Sequence, residues 1–199
     1  MYRVYGMSLS GNCYKVKLLL QQLEQPYVWQ EVDVMAGATQ QPAFKAINPN
    51  ARVPVLEIAP GEYLPESNAI LWYLAEGSAL IPQQRYQRGQ CLQWMFFEQY
   101  SHEPYIAVAR FINRFLPQNH ARRAELPTLL ERGYKALDVM ELHLQQHAYM
   151  VAESYSIADI ALYGYTHVAH EGGFDLEGYD AVNEWLQRIG NQPRFVTME

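Results

Sequence analysis

Apolar and polar positions follow two different periods along the chain. In residues 2–5, Tyr2, Val4 and Tyr5 form a short aromatic and β-branched run closed by Gly6, the pattern of a strand. A polar turn with Ser8, Ser10, Gly11 and Asn12 comes next. Val16, Leu19, Leu20 and Leu23 then fall at i, i+3, i+4 and i+7, one buried face of a helix that Pro26 stops. Residues 27–34 alternate as a second strand, so strand, helix and strand predict a parallel, right-handed βαβ unit. Residues 39–48 are less regular and weakly helical. Residues 53–58 read as a strand with Pro54 near its start, followed by a turn at Pro60 and Gly61 and a short strand over 62–64. Ser67 is placed to cap a helix through Ile70, Leu71 and Leu74 that ends at Gly77.

After residues 77–86, the most linker-like stretch, strand signals disappear. Leu92, Met95 and Phe96 repeat at helical spacing, as do Leu126, Leu129, Leu130, Gly133, Leu137, Met140 and Leu144. Ser156 and Asp159 form a capping-box pattern, with Tyr155 and Ile160 placed as a hydrophobic staple. The helix they start is apolar on nearly all sides and should be central. The expected organisation is an α/β domain over 1–77 and an all-α bundle over 87–199.

Composition narrows the function classes. With 199 residues, 49% hydrophobic and 18% charged, the chain can bury a core, and no apolar run is long enough to cross a membrane. A signal peptide is not expected at the N-terminus. The net charge of -6 argues against a nucleic-acid footprint, so any anionic ligand must be held by local groups. Two cysteines, Cys13 and Cys91, make no disulfide framework, and a reducing cytoplasm is the expected compartment. The close pairs His143 with His147 and His167 with His170 lack a third evident ligand, so no metal is expected.

Three short stretches carry candidate chemistry. The first, residues 10–13, has the spacing of a C-x-x-C motif with serine leading, at a helix N-terminus. Such a terminus offers N–H donors and partial positive charge, and a serine hydroxyl there suits a sulfur anion brought by a ligand. The alternative is a plain Ser10 cap with Cys13 as a small buried residue. The second is Val53 with Pro54, where the peptide is either cis or an ordinary trans edge proline. In the third, Glu66 and Ser67 at another helix N-terminus fit an amino-acid head group, Glu66 for the ammonium and Ser67 with the helix amides for the carboxylate. By itself that pair is also a capping motif.

Taken in order, residues 10–16, 48–56, 66–70 and 156–159 resemble the glutathione transferase superfamily over the whole chain. The resemblance implies a thioredoxin-like N-terminal domain over 1–77 that binds glutathione and an all-helical domain over 87–199 that contributes the electrophile site. It is closest to the bacterial serine-type, theta-like and zeta-like members. It implies that Ser10 hydrogen-bonds the glutathione sulfur, with Asn12 as a rival. Val53 would pair its backbone with the cysteinyl part across cis-Pro54, Glu66 and Ser67 would hold the γ-glutamyl group, and Gln40 and Arg52 would reach the glycine carboxylate. The leading cysteine of omega-like and beta-like members is absent, as is the Ser-Ser-Cys run of zeta-like isomerases.

The energetics suffice for such chemistry. Lowering a thiol pKa from about 8.5 to about 6.5 requires about 2.7 kcal/mol. A hydrogen bond to a charged group contributes about 1.5–3 kcal/mol and a helix terminus about 0.3–2. Glutathione serves as co-substrate, and no metal or nucleotide cofactor is required. The electrophile pocket is expected between the halves, with Met7, Leu9, Tyr100, Tyr105 and Phe111 as candidates. The resemblance therefore implies a homodimeric detoxification enzyme, expected in the cytoplasm, that turns glutathione thiolate on a small hydrophobic electrophile. Two rivals remain: glutathione-dependent thiol–disulfide exchange with Cys13 taking part, and a non-catalytic interaction module of the same fold.

Overall fold

The computed structural model describes residues 1–198, which fall into two compact units. The first comprises Met1–Ser78 and the C-terminal segment that begins at Pro193; the second is Ala79–Gln192.

The first unit carries β1 (Tyr2–Gly6), α1 (Gly11–Gln22), β2 (Tyr27–Glu31), a 3-10 turn (Ala38–Gln40), α2 (Pro42–Ile47), β3 (Val55–Ala59), β4 (Glu62–Pro65) and α3 (Ser67–Ala75). The sheet order is β2-β1-β3-β4. β1 runs parallel to β2, with Tyr2 opposite Tyr27, and antiparallel to β3, with Val4 opposite Leu56; β3 and β4 form a hairpin with Leu56 opposite Leu64. This is the mixed four-stranded sheet of a thioredoxin-like domain. α1 buries more than one stripe: Cys13, Tyr14, Val16, Leu18, Leu19 and Leu20 are all within the core. The C-terminal segment explains part of this cover. Tyr14 donates its hydroxyl to the Val196 carbonyl at 2.7 Å, and Arg194 pairs with Glu24 at 2.8 Å.

Several boundaries differ from the sequence reading for local reasons. β2 stops at Glu31 rather than 34, because the Asp33 carboxylate accepts the Ala36 N–H at 2.8 Å and turns the chain. β3 begins at Val55, just past a cis Val53–Pro54 bond. Ser67 is the first residue of α3 and not its cap. That position belongs to Glu66, held at φ +72°, whose carbonyl accepts the Ile70 N–H at 2.9 Å. Gly77 follows the helix at φ +78°, a conformation that favours glycine.

The second unit is all helical: α4 (Arg85–Phe97), a π turn (Glu98–His102), α5 (Glu103–Phe115), a 3-10 turn (Ala121–Glu125), α6 (Leu126–Leu144), α7 (Ile157–Thr166), a 3-10 turn (Ala169–Gly172) and α8 (Asp180–Gly190). All ten residues of α7 are buried, so its all-round apolar sequence is accounted for. Its start is held by a complete capping box: the Ser156 hydroxyl accepts the Ala158 N–H, and Asp159 returns to the Ser156 N–H at 2.9 Å. The Asp159 carboxylate, fully buried, also accepts from Met150 N–H and Trp185 Nε1–H, each at 2.9 Å. α8 starts on a borrowed acceptor, since Glu141 of α6 takes the Ala181 and Val182 N–H groups at 3.1 and 3.0 Å.

Two expectations for this half are corrected. Within residues 77–86 the chain is anchored beyond Ser78: Ile81 is buried, and the Leu80 carbonyl accepts the Ile157 N–H at 3.0 Å. On α4 the buried residues are Cys91, Trp94 and Met95, whereas Leu92 and Phe96 are exposed. An apolar period identifies the helix but not which of two overlapping stripes meets the core.

Candidate functional site

The candidate site is built at two helix N-termini of the first unit. Ser10 caps α1 from an extended conformation, with its Oγ accepting the Cys13 N–H at 3.4 Å, and its own N–H is tied to the Met7 carbonyl at 2.9 Å. The Ser10 oxygen thus takes one helix donor and retains an O–H to give. The loop before it is held by Glu31 at the end of β2, which accepts from Ser8 N–H (2.9 Å), Ser8 Oγ–H (2.7 Å) and Trp29 Nε1–H (2.7 Å). Although partial burial raises the Glu31 pKa, these donors prevail and leave it below its usual value.

Asn12 joins the two helices. Its Oδ1 accepts from Lys15 Nζ at 2.7 Å and from Ser67 Oγ, at the start of α3, at 3.2 Å. Ser67 is 5% exposed and Lys15 is fully buried. Two residues separated by 55 positions are therefore in direct contact, with the aligned N–H groups of both helix termini beside them. Glu66 is exposed at the head of α3 in its left-handed conformation, which a non-glycine residue adopts at a cost of about 1–3 kcal/mol.

Cys13 is not part of the reactive surface. It is fully buried, its Sγ accepts the Met7 N–H at 3.4 Å, and burial pushes its thiol from 9.0 up to about 12. Cys91 is likewise buried and raised to about 11. Among the described residues no group of three or more His, Cys, Asp or Glu side chains is arranged to hold a metal.

Residues 4–80 match the family model described as glutathione S-transferase, N-terminal domain, and residues 94–193 match glutathione S-transferase, C-terminal domain. The chain belongs to the glutathione S-transferase family. It is similar to a crystal structure of a glutathione S-transferase from Pseudomonas fluorescens Pf-5, at 58% identity and TM-score 0.95, covering 99% of this chain and 98% of that one. It is 31% identical over 193 residues to the disulfide-bond oxidoreductase YfcG of Escherichia coli K12, covering 92% of this chain and 87% of that protein. A Pseudomonas putida glutathione transferase, solved with one glutathione disulfide per subunit, matches at 28% identity and TM-score 0.84, covering 97% and 88%.

Within this glutathione S-transferase fold the other sequence candidates fall as follows. The Val53–Pro54 peptide is cis, and the buried Asn48 braces the loop leading to it, giving Nδ2–H to the Arg52 carbonyl at 2.8 Å and taking the Asn50 N–H at 3.1 Å. Arg52 and Gln40 are exposed, Gln40 at the end of its 3-10 turn. Met7 and Leu9 are half-buried in the loop of the first unit.

Tyr100, Tyr105 and Phe111 belong to the second unit. Tyr100 is 84% exposed; the Tyr105 ring lies 5.6 Å beneath the Arg132 guanidinium; Phe111 packs on Phe115 at 5.7 Å. Tyr105 and Phe111 are six positions apart on α5 and leave it in directions about 120° apart. His102, at the end of the π turn, is buried with Nε2 at 2.9 Å from Thr166 Oγ1 and does not lie on the surface. Three residues were given no role of their own in the sequence reading: Lys15 and Asn48, which it held only as members of the stretches 10–16 and 48–56, and Glu31. A lysine three places after a turn asparagine was the available signal for Lys15, but its burial was not visible in a helix otherwise read from its leucines.

Proposed function

We propose that this protein is a serine-type glutathione transferase of the bacterial, theta-like and zeta-like kind. Glutathione lies across the α1 and α3 N-termini. Ser67 and the α3 amides take the γ-glutamyl carboxylate, and Glu66 takes its ammonium. The Val53 backbone pairs with the cysteinyl residue beside Pro54, while Gln40 and Arg52 meet the glycine carboxylate. The Ser10 O–H donates to the sulfur, and the α1 terminus adds its partial charge, so the thiol loses its proton to solvent at neutral pH. The thiolate then forms a bond to a small hydrophobic electrophile, displacing its leaving group or adding to its activated double bond. Met7 and Leu9, in the loop just before Ser10, would line that electrophile's place. No further cofactor enters this scheme.

The observation that carries the reading is the Ser67–Asn12 hydrogen bond, which ties the first residue of α3 to the first turn of α1. Calorimetry with glutathione on the wild type, Ser67→Ala and Glu66→Ala tests it. Binding weakened in both variants is expected, and a wild type that does not bind would sink it, in favour of a non-catalytic module. An electrophile screen then compares Ser10→Ala, where loss of a hydrogen bond to an anion predicts a fall of about 10- to 100-fold in kcat/KM, with Cys13→Ala, where little change is expected.

Assembly and place follow the same reading. Tyr86, Gly89, Gln93, Phe96 and Tyr100 run at helical spacing along an exposed stripe of α4 and the π turn, beside a shallow cavity of about 480 Å³ lined by Arg85, Tyr86, Gly89, Gln90 and Gln93. A second copy of the chain is the proposed cover, making a homodimer, and light scattering after gel filtration measures it. Buried, reduced cysteines fit a cytoplasmic detoxification role, and no described helix is long and apolar enough to cross a membrane.

Similarity to YfcG supports a second reading, glutathione-dependent disulfide exchange. With Cys13 buried, that exchange would run between glutathione sulfurs and a bound disulfide without a protein thiol. Disulfide reductase activity retained in Cys13→Ala, with no conjugation of any electrophile, would favour it.

A further inference from the structure

A fully buried lysine in a small α/β unit needs a reason, because an ammonium taken out of water is unfavourable unless its surroundings use the charge. Lys15 is 0% exposed, and its Nζ gives a 2.7 Å hydrogen bond to Asn12 Oδ1. The same oxygen takes the Ser67 hydroxyl at 3.2 Å. An ammonium has only donors, so it determines which end of the Asn12 amide faces it: Oδ1 turns towards Lys15 and Ser67, and Nδ2 turns away from them. Glu66, exposed at the head of α3, is a negative group of the site.

Resting on the glutathione reading above, we propose that Lys15 is a positioning residue for the sulfur site. Its ammonium orients the Asn12 carboxamide as a donor and sets a full positive charge behind the N-termini of α1 and α3. Ser10 then contacts the sulfur from a terminus that is more positive than backbone dipoles alone make it. The role predicts that Lys15 acts on the acidity of the bound thiol and much less on the binding of the tripeptide.

The test titrates the thiol of bound glutathione by its ultraviolet thiolate absorbance in wild type, Lys15→Met, Lys15→Gln and Lys15→Arg. Calorimetry with S-methylglutathione, which has no ionisable thiol, runs in parallel. Lys15→Met and Lys15→Gln should each raise the bound thiol's pKa, with about tenfold less thiolate at a given pH below it. Lys15→Arg should restore most of the acidity, and affinity for S-methylglutathione should stay within about threefold throughout. Lys15→Gln keeps a donor for Asn12 without the charge and serves where Lys15→Met does not fold. A Gln variant that titrates like wild type overturns the proposal, as does a loss of S-methylglutathione affinity that tracks the loss of acidity. A wild type that fails to bind glutathione removes the underlying reading instead, and this proposal falls with it.

Discussion

Cys13 decides whether a protein thiol takes part in either enzymatic reading, and its chemistry can be worked from its surroundings. The thiol sits fully buried in the first turn of α1, accepts the Met7 N–H, and is pushed from 9.0 to about 12 by burial. Three units correspond to about a thousandfold less thiolate at neutral pH than an ordinary cysteine, and only the thiolate is a useful nucleophile. Burial slows reaction further, since a reagent must wait for local opening. Iodoacetamide labelling followed by mass spectrometry, in native buffer and in denaturant, should show native Cys13 reacting at least about a thousandfold more slowly than the unfolded chain. The Cys13→Ala variant should keep its glutathione chemistry. Native labelling near the unfolded rate, or loss of activity in Cys13→Ala with glutathione binding intact, would refute the reasoning and return Cys13 to the mechanism.

Other expectations concern the frame around the site. Asp159→Ala strands three buried N–H donors, from Met150, Ser156 and Trp185, at about 1–3 kcal/mol each, so chemical denaturation should show a loss of about 4 kcal/mol, well beyond the ~1 kcal/mol expected for Ser156→Ala. Gly133→Ala would put a Cβ 2.4 Å from the Phe174 ring, so it should destabilise by about 2 kcal/mol despite the better helix propensity of alanine; a stabilised variant would show that Phe174 yields freely. Burial lowers His167 from 6.5 to about 4, so its contribution is present above pH 6.5 and lost as pH falls towards 4, about 2 kcal/mol at pH 5. Asp159, raised by burial from 3.8 to about 6, has the opposite sign: its contribution is complete below pH 3.8 and lost as pH rises through 6, offsetting about 1 kcal/mol at pH 5. Melting curves of His167→Gln should therefore lose less stability between pH 7 and 5 than wild type.

The sequence by itself determined the main strands and helices and their order, and it marked the starts of α1 and α3 as the candidate site. Strand and helix periods switch where the structure switches them, because one-sided burial imposes those periods. Ser156 and Asp159 announced the α7 start, and Ser10 the α1 start, because caps are local hydrogen bonds between residues a few positions apart. What only the tertiary structure decided lies wherever partners are distant in the chain. Ser67 was legible as a helix-start residue, but its bond to Asn12 depends on how α1 and α3 pack. Burial along α1 depends on what packs against it, including, at Tyr14, a C-terminal segment whose Val196 carbonyl lies 182 positions further along the chain. Leu92 and Phe96 had the right period on the wrong face, since periodicity is blind to which stripe another helix occupies. Local patterns are written in short-range sterics and hydrogen bonding, whereas burial and long-range pairing are properties of the packed whole.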